Sequence, residues 1–277
     1  MPEAVKRVAV VTHGKPEVIG EALSRLERVA TEQGVEVILT EDELSKHGRA
    51  GEDADQASAD LVVVLGGDGT MLRAFQRFLG TGIPVIGVNY GRVGFLASIE
   101  EDELETGLSR VFGGDYAVYE LATLEVEVEG DRRPAVNDVV VTSATLGRMV
   151  ELGWAVGGED LGVVPCDGLV CCTPTGSTAY NLSNGGPVLV WGLDAMAITF
   201  AAPHLLHARP LVVPRSRELA VSNQTADVGV TVLVDGRPLR ELAHGQVVTV
   251  RLSEQHSRLA TLPERTFFRR YRETFGS

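Results

Sequence analysis

Leu61-Val62-Val63-Val64-Leu65 is an unbroken apolar run that passes without a linker into Gly66-Gly67-Asp68-Gly69-Thr70. A strand that is apolar on both sides must be covered on both faces, which is the condition of a central strand in a parallel α/β sheet. The same alternation surrounds it. Val8-Ala9-Val10-Val11 reads as a strand, and Ile19, Leu23, Leu26, Val29 and Ala30 then recur at helical spacing until Gly34. Val35 to Leu39 resumes as strand, residues 71–79 read as helix, 83–88 as strand and 102–112 as helix, with Gly113-Gly114 closing the pattern. Residues 42–60 are polar and turn-rich and are expected to form a surface excursion. The fold class expected is α/β, with a doubly wound N-terminal domain over residues 1–115.

Beyond Tyr116 the texture changes to short strands. Leu124-Glu125-Val126-Glu127-Val128-Glu129 alternates strictly, as a half-buried strand does, with its carboxylates on a solvated face. Similar runs follow at 136–142, 149–156, 169–172, 196–200, 219–222, 230–234, 247–252 and 257–262, separated by turns such as Gly157-Gly158 and Asp235-Gly236. A β-rich C-terminal domain is expected over residues 116–262. Residues 263–277 carry Phe267, Phe268, Tyr271 and Phe275 at helical spacing, with Arg265, Arg269, Arg270 and Arg272 facing solvent, and are expected to return to the first domain.

A length of 277 residues suits two modest units, and 44% hydrophobic with 23% charged residues is ordinary globular composition. The formal net charge of −13 opposes adhesion to nucleic acid or anionic lipid, so neither is expected as a partner. The first residues are too briefly apolar for a signal peptide, and no stretch approaches the ~18 apolar residues of a membrane span. Three cysteines, Cys166, Cys171 and Cys172, have no disulfide spacing, and a reducing, cytoplasmic location is expected. His204 and His207 lack companions at metal-ligand spacing, so no protein-held metal and no thiol catalysis are expected.

The turn at 66–70 has the chemistry of a polyphosphate cradle. Gly66, Gly67 and Gly69 let the backbone approach phosphate oxygens, and Thr70 opens a helix whose first amides lack internal partners. Asp68 is the one acid in the turn. A carboxylate repels phosphate but can accept a proton from an attacking hydroxyl. The bland alternative is that Asp68-Gly69 merely caps a helix. Neither a Rossmann fingerprint nor a Walker lysine is present. Downstream, residues 167–183 join an acid, a strand and a hydroxyl-rich helix start. Six hydroxyl side chains fall between Thr173 and Ser183, more than helix capping requires, and Tyr180 adds an aromatic surface.

Taken together, in this order, the two motifs resemble the NAD kinases. The glycine-aspartate turn alone is similar to that of diacylglycerol, sphingosine and phosphofructo-kinases, whereas Thr173-Pro174-Thr175-Gly176-Ser177-Thr178-Ala179-Tyr180 resembles the NAD kinases only. The resemblance implies an N-terminal α/β domain, a C-terminal β-rich domain and a dinucleotide in the cleft between them. It implies that Asp68 is the proton acceptor, that Gly69 lies beside substrate and that Arg73 lies near phosphate. Asn137 and Asp138 resemble an Asn-Glu or Asn-Asp pair that holds ribose hydroxyls or the adenine edge, although many relatives have the longer glutamate at the second position. Arg148 resembles a substrate contact, and Asp167 the acid facing the nicotinamide side. Thr178, Ala179, Tyr180, Asn181, Leu182 and Ser183 resemble the lining of the same cleft, and Ala202 a strand end bordering it. Gly91-Arg92-Val93-Gly94-Phe95-Leu96 matches a family loop, with Phe95 either packed on adenine or a core residue. Arg237 aligns only loosely with a late substrate contact.

The activity so implied is transfer of the terminal phosphoryl group of ATP, or of inorganic polyphosphate, to the 2′-hydroxyl of the adenosine ribose of NAD. Mg²⁺ or another divalent cation would be bound mainly through the donor phosphates. A homodimer or homotetramer is expected. The alternatives are a lipid or sugar kinase sharing the turn, and a dinucleotide-binding module without turnover.

Overall fold

The structure, a computed structural model, describes residues 3–13, 16–48, 55–91, 94–145, 147–205 and 207–276. Two compact units emerge. Met1–Glu120 with Ser257–Ser277 form the first, and Leu121–His256 form the second.

In the first unit, strands β1 (Arg7–Thr12), β2 (Glu36–Ile38), β3 (Leu61–Gly66), β4 (Val85–Asn89) and β5 (Ile99–Glu100) build a parallel sheet in the order β2-β1-β3-β4, with β5 beside β4. Every residue of β3 is buried, as its two-sided apolar run requires. Helix α1 (Pro16–Gln33) lays Ile19, Ala22, Leu23, Leu26, Val29 and Ala30 onto this sheet, and Gly34 ends it at φ +69°. Helix α4 (Leu104–Phe112) adds Leu108, Val111 and Phe112 to the same core. The chain reverses its direction of winding between β1 and β3. That is the switch point at which open α/β sheets bind ligands, and Thr12 and Gly66 end the two strands there.

The segment expected to be a surface excursion is partly ordered into the core. Helix α2 (Glu41–Lys46) starts at Thr40, whose hydroxyl accepts from the N–H of Glu43. Glu43 is 1% exposed, and its carboxylate accepts from the Thr12 N–H (3.0 Å) and hydroxyl (2.6 Å) and pairs with Lys46 (2.8 Å). A polar pattern hid this because the buried acid is fully partnered. Residues 49–54 of the expected excursion lie outside the described residues.

Among the described residues, the second unit is a sandwich of two antiparallel layers. One layer runs β13 (Leu211–Pro214), β12 (Ala195–Ala201), β11 (Gly168–Cys172), β8 (Asp138–Ser143), β15 (Val230–Val234), β16 (Arg237–Leu242). The other contains β10 (Glu159–Cys166), β9 (Val150–Val156), β14 (Leu219–Asn223) and the start of β17 (Val247–Thr261), with the β6 (Ala117–Val128) and β7 (Asp131–Ala135) hairpin. Alternate residues of both layers, such as Leu124, Val126, Val139, Val141, Leu152, Leu169 and Val221, form one core. β11 is buried on both faces, because Val170 and Cys172 pack into a second cluster with Leu189 and Ala197.

Several strands escaped the sequence pattern for physical reasons. β7, β10, β13 and β16 each end a pairing path and carry Pro134, Pro165, Pro214 and Pro238 respectively, as edge strands tolerate. β17 is one strand of 15 residues, where 247–252 and 257–262 are expected as two, because Ser253-Glu254-Gln255 interrupts its alternation. The carboxylates of Glu125, Glu127 and Glu129 pair with Arg251, Arg132 and Arg240 at the surface. No described helix is long and apolar enough to cross a membrane.

The chain leaves the first unit within β6 and re-enters it within β17. Helix α6 (Phe267–Phe275) follows. The ring of Phe267 packs edge-on against Phe95 at 5.4 Å between centroids, and Phe275 lies 6.2 Å from the same ring. Arg270 does not face solvent as its spacing suggests, being only 5% exposed. The hydroxyl of Thr266 caps α6 by accepting from the Arg269 N–H. Replacing Thr266 with Ala is expected to cost about 1 kcal/mol in urea unfolding, and replacing it with Ser to retain most of the stability.

Candidate active site

The β3–α3 turn is shaped by close approach. A Cβ on Gly66 would stand 2.5 Å from the Thr70 Oγ1, and one on Gly91 would stand 3.2 Å from the Gly67 Cα, so the two backbones come together without side chains. Helix α3 (Asp68–Arg77) begins immediately, with Gly67 as an N-cap that offers no side-chain bond. The Gly67 carbonyl accepts from the N–H groups of Thr70 (2.9 Å) and Met71 (3.1 Å). Gly69 is exposed, and a Cβ there would meet nothing within 4 Å. The head of α3 thus joins a positive dipole end to an open backbone.

Asp68 does not cap this helix, so the bland reading of the turn fails. Its carboxylate reaches across to the 94–96 loop, where Oδ2 accepts from the Phe95 N–H (2.7 Å) and Oδ1 from the Leu96 N–H (3.1 Å). Gly94 is required beside it, since a Cβ would lie 2.6 Å from Oδ1. Arg73, one turn along α3, is exposed and brings Nη2 to 3.4 Å from both the Thr12 carbonyl and the Thr70 hydroxyl. Phe95 contributes its N–H here, while its ring is 7% exposed and packed on α6. The core alternative accounts for the ring. Arg92 and Val93 of the same loop lie outside the described residues.

In the second unit, Asn137 and Asp138 enter β8 beside the β15–β16 turn. Asp235 (φ +48°) and Gly236 (φ +76°) make that turn, a conformation that Asp-Gly favours. The Asp235 carboxylate accepts from the N–H groups of Val136 (2.9 Å), Asn137 (2.7 Å) and Asp138 (3.2 Å). This anchoring role was not visible in the sequence, where the two segments lie far apart. Asp138 is 6% exposed, and burial, with the Asp235 carboxylate adding repulsion, pushes its pKa up from 3.8 to about 7.

The hydroxyl-rich motif abuts this pair. A Cβ on Gly176 would stand 2.0 Å from the Asn137 carbonyl oxygen. The Thr173 hydroxyl donates to the Val136 carbonyl (2.7 Å) and accepts from the Gly176 N–H (3.0 Å). The Ser177 hydroxyl donates to the Pro174 carbonyl (2.6 Å) and accepts from the Leu189 N–H (2.9 Å), and the Thr178 hydroxyl donates to Thr175 (3.2 Å). Three of the six hydroxyls therefore help to build the turn itself. Asn181 also bonds within the segment. It is fully buried, donates to the Ser177 (3.2 Å) and Pro187 (3.0 Å) carbonyls and accepts from the Thr199 hydroxyl (2.7 Å). Its side chain holds the 186–187 segment, where Gly186 leaves no space for a Cβ. Tyr180 and Ser183, in the short helix α5 (Tyr180–Ser183), are exposed, with Ala179 and Leu182 half-buried beside them. Asn137 Oδ1 and Thr175 Oγ1 are buried without a hydrogen-bond partner in the protein.

Arg148, Asp167 and Ala202 form a separate group at the other end of the six-stranded layer. The Asp167 N–H donates to the Ala201 carbonyl (3.0 Å), and the Asp167 carbonyl accepts from the Thr142 hydroxyl (2.8 Å). All three residues are exposed, and Ala202 has φ +44°. β11 separates Asp167 from Thr173 by six residue steps, about 20 Å at strand rise. Arg237 is exposed at the start of β16, next to the Asp235 turn.

Among the described residues, no three of His, Cys, Asp and Glu gather as metal ligands. The three cysteines are buried, and burial pushes Cys166 and Cys172 up to about 12 and Cys171 up as well, so they stay protonated thiols.

Asp138 gives a pH-dependent signature. Its native pKa of about 7 lies above its ordinary 3.8, so the native state binds the extra proton and stability falls as pH rises between these values. Asp138→Asn removes that loss. Its melting temperature should exceed that of the unsubstituted protein at pH 8 and approach it toward pH 5. A difference independent of pH, or of opposite slope, would contradict the burial of an ionisable acid here.

Comparison with known proteins agrees in both units. Residues 8–116 match the model of the ATP-NAD kinase N-terminal domain, and residues 136–262 match that of the ATP-NAD kinase C-terminal domain. The chain is 32% identical over 273 residues to an NAD kinase of Natranaerobius thermophilus, covering 95% of this chain and 96% of the relative. It is 43% identical over 219 residues to an NAD kinase of Heliobacterium modesticaldum, covering 77% of each. Among solved structures it is similar to an NAD kinase from Archaeoglobus fulgidus in complex with ATP, with a TM-score of 0.77, 26% identity and coverage of 96% of this chain and 98% of that one. Its fold is also that of a yeast NADH kinase complexed with NADH, with a TM-score of 0.85 at 23% identity and coverage of 99% and 88%. With a glycine-aspartate turn at the sheet's switch point and both halves of the chain matched, this protein belongs to the NAD kinase family of phosphotransferases.

Proposed function

We propose that the chain transfers the terminal phosphoryl group of ATP to the 2′-hydroxyl of the adenosine ribose of NAD, forming NADP, with Asp68 as the group that accepts or directs the hydroxyl proton. The observation that carries this reading is the Asp68 carboxylate gripped by two backbone N–H groups at the head of α3. Such a grip orients the acid without using a side chain, and general-base assistance depends on geometry first. Phosphoryl transfer is otherwise a matter of positioning and charge stabilisation. The exposed, side-chain-free backbone at Gly69, with Gly66, Gly67 and Thr70 beside it, and the exposed Arg73 suit the donor phosphates.

Asn137 and Asp138 suit the ribose hydroxyls or the adenine edge. The partnerless Asn137 Oδ1 and Thr175 Oγ1 support a polar ligand at that position, because buried polar atoms are normally satisfied. Tyr180 offers a ring for stacking, and Thr178, Ala179, Leu182 and Ser183 continue the same surface. Arg148, Asp167, Ala202 and Arg237 keep their roles as further dinucleotide contacts within this proposal. A divalent cation, when bound, would neutralise the donor phosphates. Mg²⁺ ordinarily takes one or two carboxylates and relies on substrate phosphates and water for the rest, so those phosphates would carry most of its coordination. A cytoplasmic homodimer or homotetramer completes the proposal.

Asp68→Asn is expected to lower kcat for NADP formation by about a hundredfold to ten-thousandfold. NAD affinity by calorimetry should stay nearly unchanged, whereas the melting temperature should fall modestly, because the Asn side chain offers one acceptor oxygen to two backbone N–H groups. Wild-type turnover in this variant would remove Asp68 from the mechanism. Assays with ATP and with polyphosphate in turn, each against NAD and NADH, test the donor and acceptor. A preference for polyphosphate, or for a lipid or sugar acceptor, would overturn the stated substrates.

A further inference from the structure

Arg270 is an arginine in an unusual position. Its neighbours on the tail, Arg265 and Arg269, pair at the surface with Glu103 and Glu273. Arg270 is instead 5% exposed. Its Nη1 donates to the Phe95 carbonyl (2.9 Å) and to the Ala97 carbonyl, and its Nε donates to the Arg265 carbonyl (3.3 Å). Burial lowers its pKa to about 10, which leaves the guanidinium protonated at neutral pH. Burying a cation is costly unless its donors are satisfied. Here Nη1 is turned onto the loop that grips Asp68.

One peptide unit joins the two groups. The carbonyl of Phe95 accepts from Arg270, and the N–H of the same peptide, that of Leu96, donates to Asp68 Oδ1 at 3.1 Å. The preceding N–H, that of Phe95, donates to Oδ2 at 2.7 Å. A carbonyl that accepts from a cation polarises its peptide and makes the N–H a stronger donor. Two anchored carbonyls, those of Phe95 and Ala97, also fix the rotation of the intervening peptides and therefore the direction in which their N–H groups point.

We infer that Arg270 is a positioning residue for Asp68, setting the orientation of its carboxylate through the Phe95–Leu96 peptide. This rests on the assignment of Asp68 as the proton acceptor. Arg270 touches no reacting atom in this scheme. It acts from α6, a segment remote in sequence from the turn, so the tail is part of the catalytic architecture.

Arg270→Met and Arg270→Lys in the full-length protein test it, with folding followed by circular dichroism and melting temperature. Arg270→Met is expected to lower kcat for NADP formation about tenfold to a hundredfold, as a misplacement of about 1 Å does. KM for NAD and for ATP should remain within about twofold. Arg270→Lys should recover part of the loss, since it keeps the charge but lacks the planar guanidinium whose Nε, on the Arg265 carbonyl, helps to hold Nη1 in place. On an Asp68→Asn background, where no base remains to be oriented, adding Arg270→Met should change the residual rate by less than about twofold. Equal losses on both backgrounds, raised KM in place of lowered kcat, or wild-type turnover in Arg270→Met would overturn the inference. So would failure of both Arg270 variants to fold, because the buried cation would then serve stability alone. Full activity of Asp68→Asn by itself would instead sink the base assignment, so the two failures read differently.

Discussion

The grip of two backbone N–H groups on the Asp68 carboxylate is the interaction around which the first unit's site is organised. A carboxylate beside a phosphate cradle is unfavourable unless something fixes it, and peptide donors do so without competing for the incoming phosphate. Gly94 is required because a Cβ would collide with the acid, and Gly66 because Thr70 lies against it. The parallel sheet places the strand ends, and the reversal between β1 and β3 leaves room for the turn.

The second unit uses a comparable device with opposite electrostatic consequence. Asp235 is stabilised by three N–H groups from 136–138, and its charge helps to hold the adjacent Asp138 protonated to about pH 7. One acid anchors the strand entrance, and the other is left poised to change charge. Many hydroxyls and the Asn181 amide around this pair bond to the backbone, so the rigidity of the 173–189 segment comes from the groups that its sequence advertises as ligand contacts.

Much of the architecture was legible from local patterns. β3 was visible because it is apolar on both faces, α1 because its apolar residues recur at helical spacing, and β6 because it alternates. Edge strands carrying proline and the uninterrupted course of β17 were not, since solvent-facing or polar stretches carry little periodicity. The buried Glu43 and Arg270 were misjudged for one reason. Charge predicts exposure only where no partner waits inside, and partners distant in sequence leave no local trace.

The amino-acid sequence by itself determined the α/β and β-rich halves, the glycine-aspartate turn and the kinship of the chain, because these depend on local spacing and on residue types that few other arrangements require. Tertiary structure alone decided that Asp68 turns away from its own helix to the 95–96 amides, that Asp235 braces Asn137 and Asp138, and that Arg148, Asp167 and Ala202 stand at the far end of the six-stranded layer. Each of these depends on which distant backbone groups the packed sheets bring within hydrogen-bonding range, a quantity that no short stretch of residues contains.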